Sequence, residues 1–245
     1  MNNTTPPSSL ERLYPADVLQ TGTIAGSDTL QLHLERYHYA GKKIAAGIVV
    51  DIACGAGYGS HLLATGYGEK ISQLLAVDNN AEAIDYANEH YAHSLISFQR
   101  SDAFTFHPGI QLNTIISLET IEHLDEPEKF VAHLAAQLAT GGRFIASAPV
   151  TPSMDANPYH LQDFTTRRFK RLFLDAGLVE VDSMMQIQPY QPFKLFGKKK
   201  GRGEHIRKGL PGYYLKNPGK LLQRIKSLFL DGFTNKYLLV VFEKK

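Results

Sequence analysis

Short runs dominated by Ile, Val and Leu recur along the first 150 residues, at 48–53, 71–78, 95–102, 113–119 and 142–149. Runs this uniformly apolar are buried on both faces, and the helix-length segments between them supply the cover. That constrains the chain to a doubly wound α/β fold built on a mostly parallel sheet. Helices are predicted over 57–66, over 80–92 with Asn79 or Asn80 as cap, and over 126–139, opened by Pro127 and closed by Gly141-Gly142.

After the fifth run the rhythm changes. The loop VTPSMDANPYHLQDF leads into a helix over 165–176 that stops at Gly177, then a strand LVEVDSMMQIQ, a basic insertion and a last strand KYLLVVFE. Two strands joined without a crossover signal predict an antiparallel pair at the sheet edge, seven strands in all. Ahead of the first strand, TLQLHLERYHYA reads as an amphipathic helix with Leu30, Leu34 and Tyr37 on one face. The expected organisation is a flexible segment 1–27, one domain made of 28–190 and 236–245, and an insertion 191–235.

A chain of 245 residues suits one substantial core. No apolar run approaches the roughly 20 residues that span a bilayer, and the polar start MNNTTPPSS lacks the pattern of a secretory signal, so a cytoplasmic protein is expected. The single cysteine, Cys54, excludes an internal disulfide and any multi-cysteine metal site. A net charge of +2 hides an uneven distribution, because Lys and Arg crowd residues 194–226, with Lys198, Lys199 and Lys200 adjacent.

The first strand runs into DIACGAGYG. Glycines in a strand-to-helix turn let a ligand approach the backbone, because no Cβ stands in the way. A dinucleotide site has the spacing GxGxxG; here it is GxGxG, with Asp51 four residues before Gly55, then Gly57, and Gly59 available for helix packing. A carboxylate at Asp51 suits a cationic amino group better than a pyrophosphate. Asp78, ending the second strand, has two acceptor oxygens for two ribose hydroxyls, and Asp102 followed by Ala103 suits an adenine edge. Amine, ribose and adenine together describe S-adenosylmethionine.

With DIACGAGYG, LLAVD, SDA, IISLETIEHLDEP and GGRFIASAP in this order, the chain resembles the class I S-adenosylmethionine-dependent methyltransferases over most of its length. HLERYHYA and NPYHLQDFT further resemble bacterial enzymes acting on glycans or secondary metabolites. The resemblance implies a cofactor site of Asp51, Ala53, Gly55, Gly57, Asp78, Asn79, Asp102, Ala103, Leu118 and Glu119, with Arg36 and Tyr37 reaching the methionine carboxylate from the N-terminal helix. SLETIEHL stands where enzymes methylating base amines carry (D/N)PP(Y/F), which turns the reading away from nucleic acid.

Methyl transfer from a sulfonium needs alignment above all, and an alcohol acceptor also needs a base with a suitable pKa. His160, on the loop after the fifth strand, is the first candidate for that base and His123 the second. Glu119 and His123 are read as one helical turn apart. No cluster of His, Cys, Asp or Glu has metal spacing, so a metal-independent enzyme is expected. The expected acceptor is a small molecule or glycan, phosphate-bearing ones included; the rival readings are an idle S-adenosylmethionine-fold scaffold at a membrane and an RNA methyltransferase. The insertion bears on them: GKLLQRIKSLFLDGF puts Leu221, Leu222, Ile225, Leu228 and Phe229 on one face, with Lys220, Arg224 and Lys226 elsewhere on the surface. Such a helix either packs on the domain or rests at a membrane interface.

Overall fold

The computed structural model of the protein describes residues 24–189, 207 and 209–245. Residues 1–23 of the N-terminal segment lie outside the described residues, as does the first half of the insertion with Lys198, Lys199 and Lys200. Among the described residues the order is α1 (Ile24–Lys42), β1 (Gly47–Ile52), α2 (Tyr58–Tyr67), β2 (Ile71–Asp78), α3 (Ala81–Tyr91) and β3 (Ile96–Arg100). Then come β4 (Leu112–Leu118), α4 (Pro127–Ala136), β5 (Leu138–Pro149), α5 (Thr166–Asp175), β6 (Leu178–Pro189), α6 (Leu210–Lys216), α7 (Pro218–Asp231) and β7 (Thr234–Lys244).

The strands form one sheet in the order β3-β2-β1-β4-β5-β7-β6. Every pairing from β3 to β5 is parallel, and β7 runs antiparallel to both β5 and β6. The order reverses between β1 and β4, and open α/β sheets bind ligands at the carboxyl ends of the strands flanking such a switch.

Both faces of the sheet are covered, as the uniformly apolar strands require. On one face Tyr37 and Ala40 of α1 and Leu63 of α2 pack on Val49, Leu74 and Ile116. On the other, Phe130 and Leu134 of α4 and Phe169 and Phe173 of α5 pack on Val50, Ile115 and Phe144. The Phe173 ring stacks on Phe242 of β7 with centroids 4.4 Å apart, which ties the antiparallel strand to the same core.

Several boundaries differ from the sequence reading. Helix α1 begins at Ile24, inside the segment expected to be flexible. Helix α4 stops at Ala136 with Gln137 closing it; Gly141-Gly142, expected to end the helix, lies within β5. The pair is needed there because Gly141 has φ 74° and a Cβ on Gly142 would meet the Ala139 carbonyl at 2.8 Å. Strand β3 ends at Arg100, leaving Asp102 in the following turn, where its own side chain accepts from the Phe104 amide.

The second half of the insertion folds as α6 and α7, and Lys220 and Arg224, expected on the surface, turn toward the domain. Arg224 donates to both carboxylate oxygens of Asp155, at 2.7 and 2.5 Å, and Lys220 donates to Asp163 at 2.6 Å. Asp155 and Asp163 belong to the loop after β5 and are nearly buried, so they need counter-charges, and Lys220 and Arg224 of α7 turn inward to meet them while Lys226 stays exposed. The apolar face turns outward: Phe229 is 87% exposed and Leu222 68%.

Candidate functional site

The turn after β1 is built from left-handed residues. Ala53, Gly55 and Gly57 have φ of 59°, 56° and 84°. A Cβ on Gly57 would meet the Ala87 Cβ at 2.6 Å and the Phe98 ring at 2.8 Å, so glycine lets α2 begin hard against α3 and β3. Gly59 has a different role: a Cβ there would fall 2.0 Å from the Tyr37 ring, so it allows α1 to pack across α2.

That close packing brings Tyr37 to Asp51. The Tyr37 hydroxyl donates to Asp51 at 3.2 Å and the Ser60 hydroxyl at 2.6 Å, with the carboxylate 1% exposed. Burial pushes the Asp51 carboxyl up to about 7; the Ser60 and Tyr37 hydrogen bonds oppose the rise and the nearby Asp78 adds to it. Asp78 ends β2, and its two oxygens accept the Gly55 amide at 3.0 Å and the Asn80 amide at 2.9 Å. Asn80 caps α3 by accepting the Ala83 amide, so Asp78 is not the cap and Asn79 is left exposed beside it.

At the end of β4, Leu118 packs on the α1 face of the sheet and Glu119 sits at φ 52°, uncommon for a residue with a Cβ. Ser147 donates to Glu119 at 2.7 Å, and the Arg36 guanidinium pairs with it at 3.4 Å. Arg36 is 2% exposed, donates to Gln186 at 2.8 Å and lies over the Tyr237 ring at 4.2 Å. It is therefore a buried cation held at the end of β4. Asp51, Asp78, Glu119, Arg36 and Tyr37 thus lie together around the carboxyl ends of β1, β2 and β4 at the switch point, while Asp102 and Ala103 follow β3.

His123 and His160 meet at a neighbouring corner. Residues Ile121–His123 form a 3-10 turn, so Glu119 and His123 are not stacked on one α-helix, and they face different partners. The Glu122 carbonyl accepts both the Leu161 and the Gln162 amides, at 2.8 and 3.1 Å, which pins the loop carrying His160 onto this turn. The two imidazoles lie perpendicular with centroids 4.8 Å apart. Burial and His123 hold the His160 pKa down to about 4, so its ring is neutral at neutral pH. Between them lies Glu122, 1% exposed, a residue the sequence reading passed over. Its burial and the adjacent Glu119 drive its pKa well above the carboxylate range. One atom of each of Glu122, His123 and His160 lies within 4.8 Å of the others.

A doubly wound sheet with an acid at the penultimate position of β1, a left-handed glycine turn after it and a second acid ending β2 is the arrangement of the S-adenosylmethionine-dependent methyltransferases. The methyltransferase-domain family matches residues 45–191, and the chain belongs to that family. A probable S-adenosylmethionine-dependent methyltransferase of Mycobacterium tuberculosis is 27% identical over 187 residues, which cover 71% of this chain and 66% of that protein's length. Tocopherol O-methyltransferase of Arabidopsis thaliana is 36% identical over 100 residues, 40% of this chain and 28% of that one. The solved N-methyltransferase NodS of Bradyrhizobium japonicum, in complex with S-adenosyl-L-homocysteine, shares the fold with a TM-score of 0.56 at 14% identity, covering 89% of this chain and 86% of that one.

Proposed function

We propose that the protein transfers the methyl group of S-adenosylmethionine to a hydroxyl of a small-molecule or glycan acceptor. The observation that carries this reading is the convergence of the His123 and His160 imidazoles and a buried carboxyl beside Glu119. Asp51 takes the cofactor's ammonium, Asp78 its ribose hydroxyls, Arg36 its carboxylate, and Asp102 with Ala103 its adenine edge. Turnover needs reacting atoms about 3 to 3.5 Å apart and in line, and the crevice fixes the sulfonium while the corner of Glu122, His123 and His160 receives the acceptor. An alcohol must lose its proton as the C–O bond forms, and this corner supplies the groups for that. The partial likeness to an O-methyltransferase supports oxygen as the methylated atom. His160→Ala tests it: turnover falls about a hundredfold or more while cofactor affinity holds, and equal loss of both refutes the assignment.

We propose further that α6 and α7 rest on an anionic lipid surface. No described helix is long and apolar enough to cross a membrane. With Arg224 and Lys220 turned inward, Leu215, Leu222, Ile225, Phe229 and Leu230 project outward, flanked by exposed Lys216 and Lys226. The same inward ion pairs fasten this helix to the loop that carries His160, so a lipid-linked acceptor would arrive beside the site. Cosedimentation with anionic vesicles at low and high salt is the test; no pelleting at either salt refutes it.

A further inference from the structure

The corner formed by Glu122, His123 and His160 has features that neither a hydrogen-bonded core nor a plain acid–base pair explains. Neither Glu122 carboxylate oxygen has a hydrogen-bond partner among the described residues beyond its own main chain. Buried polar groups are almost always partnered, and a buried carboxyl left without a partner is costly. Arg36, whose charge acts on Glu122 from nearby, has its guanidinium directed to Glu119 and Gln186.

The imidazoles are oriented for the same ligand. His123 Nδ1 lies 3.1 Å from the Tyr159 carbonyl, which can only accept, so Nδ1 carries the hydrogen and Nε2 keeps its lone pair. His160 Nδ1 lies 2.8 Å from the Ser153 hydroxyl, which in turn is 3.4 Å from the Asp163 carboxylate. A hydroxyl donating to that carboxylate accepts from His160 Nδ1–H, again leaving Nε2 free. Carbonyl and carboxylate partners behind a histidine are the usual outer shell of metal ligands, where they fix the tautomer and aim the ring.

We propose that Glu122, His123 and His160 bind a divalent first-row transition ion, with Zn²⁺ or Mn²⁺ the natural occupants. Bonds of about 2.0 to 2.2 Å place neighbouring ligand atoms about 3 to 4 Å apart, so closing from a spread within 4.8 Å takes movement of about an ångström. Two imidazoles favour such an ion over Mg²⁺ or Ca²⁺, which prefer all-oxygen shells. Three protein ligands leave at least one position open.

The inference deepens the hydroxyl reading and rests on the acceptor binding at this corner. The open position takes the acceptor oxygen, and the ion lowers the hydroxyl pKa so that its proton leaves to water. The oxygen lone pair then forms the C–O bond as the C–S bond breaks, and that pair returns to sulfur. The products are a methyl ether, S-adenosylhomocysteine and the released proton. With the ion bound, His123 and His160 hold it and act on the acceptor's proton through it, not as the base itself.

Calorimetry of the metal-stripped full chain with Zn²⁺ alone, and visible absorption with Co²⁺ alone, tests binding without any acceptor. One equivalent is expected, weakened at least tenfold in His123→Ala and in Glu122→Gln, with the Co²⁺ band lost in both; His90→Ala, an exposed histidine on α3, is expected to match the wild type. Retained S-adenosylmethionine binding certifies that each variant is folded, and His123→Gln replaces His123→Ala if it is not. Wild-type protein without a stoichiometric site overturns the proposal, and so does binding that survives both variants. Methyl transfer to a hydroxyl by metal-free protein would overturn the metal while leaving the hydroxyl reading standing.

Discussion

Asp51 carries the most exposing consequence of the cofactor assignment, because its carboxyl is buried and held up to about 7. A folded-state pKa raised above the unfolded value means the folded state holds its proton more tightly. The stability this group contributes is therefore full below its ordinary value of 3.8 and is lost as pH rises through about 7. The difference is about three pK units, an upper bound of about 4 kcal/mol at about pH 8. In the proposed site the cofactor's ammonium would answer the charge that forms, so binding would draw Asp51 into its ionised state. Half of Asp51 is ionised at about pH 7 and about one part in eleven at pH 6, so affinity falls about fivefold over that interval. Asp51→Asn removes both effects: the free protein becomes more stable at about pH 8 by about 1 to 4 kcal/mol, raising the melting temperature by several degrees, while S-adenosylmethionine binds weakly. Tyr37 and Asp78 also face this carboxyl, and Tyr37 stays neutral across the range. Calorimetric titration of both proteins at the two pH values, with melting curves of the free forms, is the assay. An affinity whose pH profile is the same in wild type and Asp51→Asn, with no gain in stability at high pH, would refute the reasoning.

Other consequences follow from the same contacts. Asp78→Ala removes a buried charged acceptor from the Gly55 amide as well as from the ribose, so cofactor affinity should fall about ten- to a hundredfold by calorimetry. Gly59→Ala places a methyl in the Tyr37 ring and should cost about 1 to 3 kcal/mol in denaturant unfolding, weakening cofactor binding through the displaced Tyr37. Arg224→Ala strands the Asp155 carboxylate, which its hydrogen bonds to Arg224 and Tyr214 hold below its usual value despite burial. Urea melts should show a loss of about 3 kcal/mol near neutral pH, shrinking as pH falls and Asp155 protonates. Phe229→Ala should change stability by less than about 0.5 kcal/mol because the ring is exposed, yet reduce vesicle binding in cosedimentation.

The sheet and crevice were legible because they rest on local signals. Uniform Ile/Val/Leu runs have few alternatives to buried strands, and the alternation of Asp51, Gly55 and Gly57 has few uses outside a ligand-binding turn. Gly141-Gly142 misled because glycine after a helix reads as a stop, whereas the close approach of the Ala139 carbonyl, a feature of the folded strand, is what requires it. The orientation of α7 was not readable: its apolar stripe suits burial on the domain and a membrane interface alike, and only the positions of Asp155 and Asp163, more than 50 residues away along the chain, decide that Lys220 and Arg224 go inward. Glu122 was missed for a similar reason. Its neighbour His123 was singled out, but the partner that makes Glu122 matter is His160, brought in by main-chain hydrogen bonds from a loop after the next strand. Clusters assembled across such distances leave no spacing to read.

The central claim is methyl transfer from S-adenosylmethionine to a hydroxyl at the corner beside Glu119. Mass spectrometry of a cell extract incubated with the protein and methyl-labelled S-adenosylmethionine tests it most directly, with His160→Ala in parallel. The account predicts S-adenosylhomocysteine together with a product whose labelled methyl sits on oxygen, formed by the wild type and reduced about a hundredfold in the variant. Label on nitrogen or carbon, or cofactor that binds without any labelled product, would contradict it.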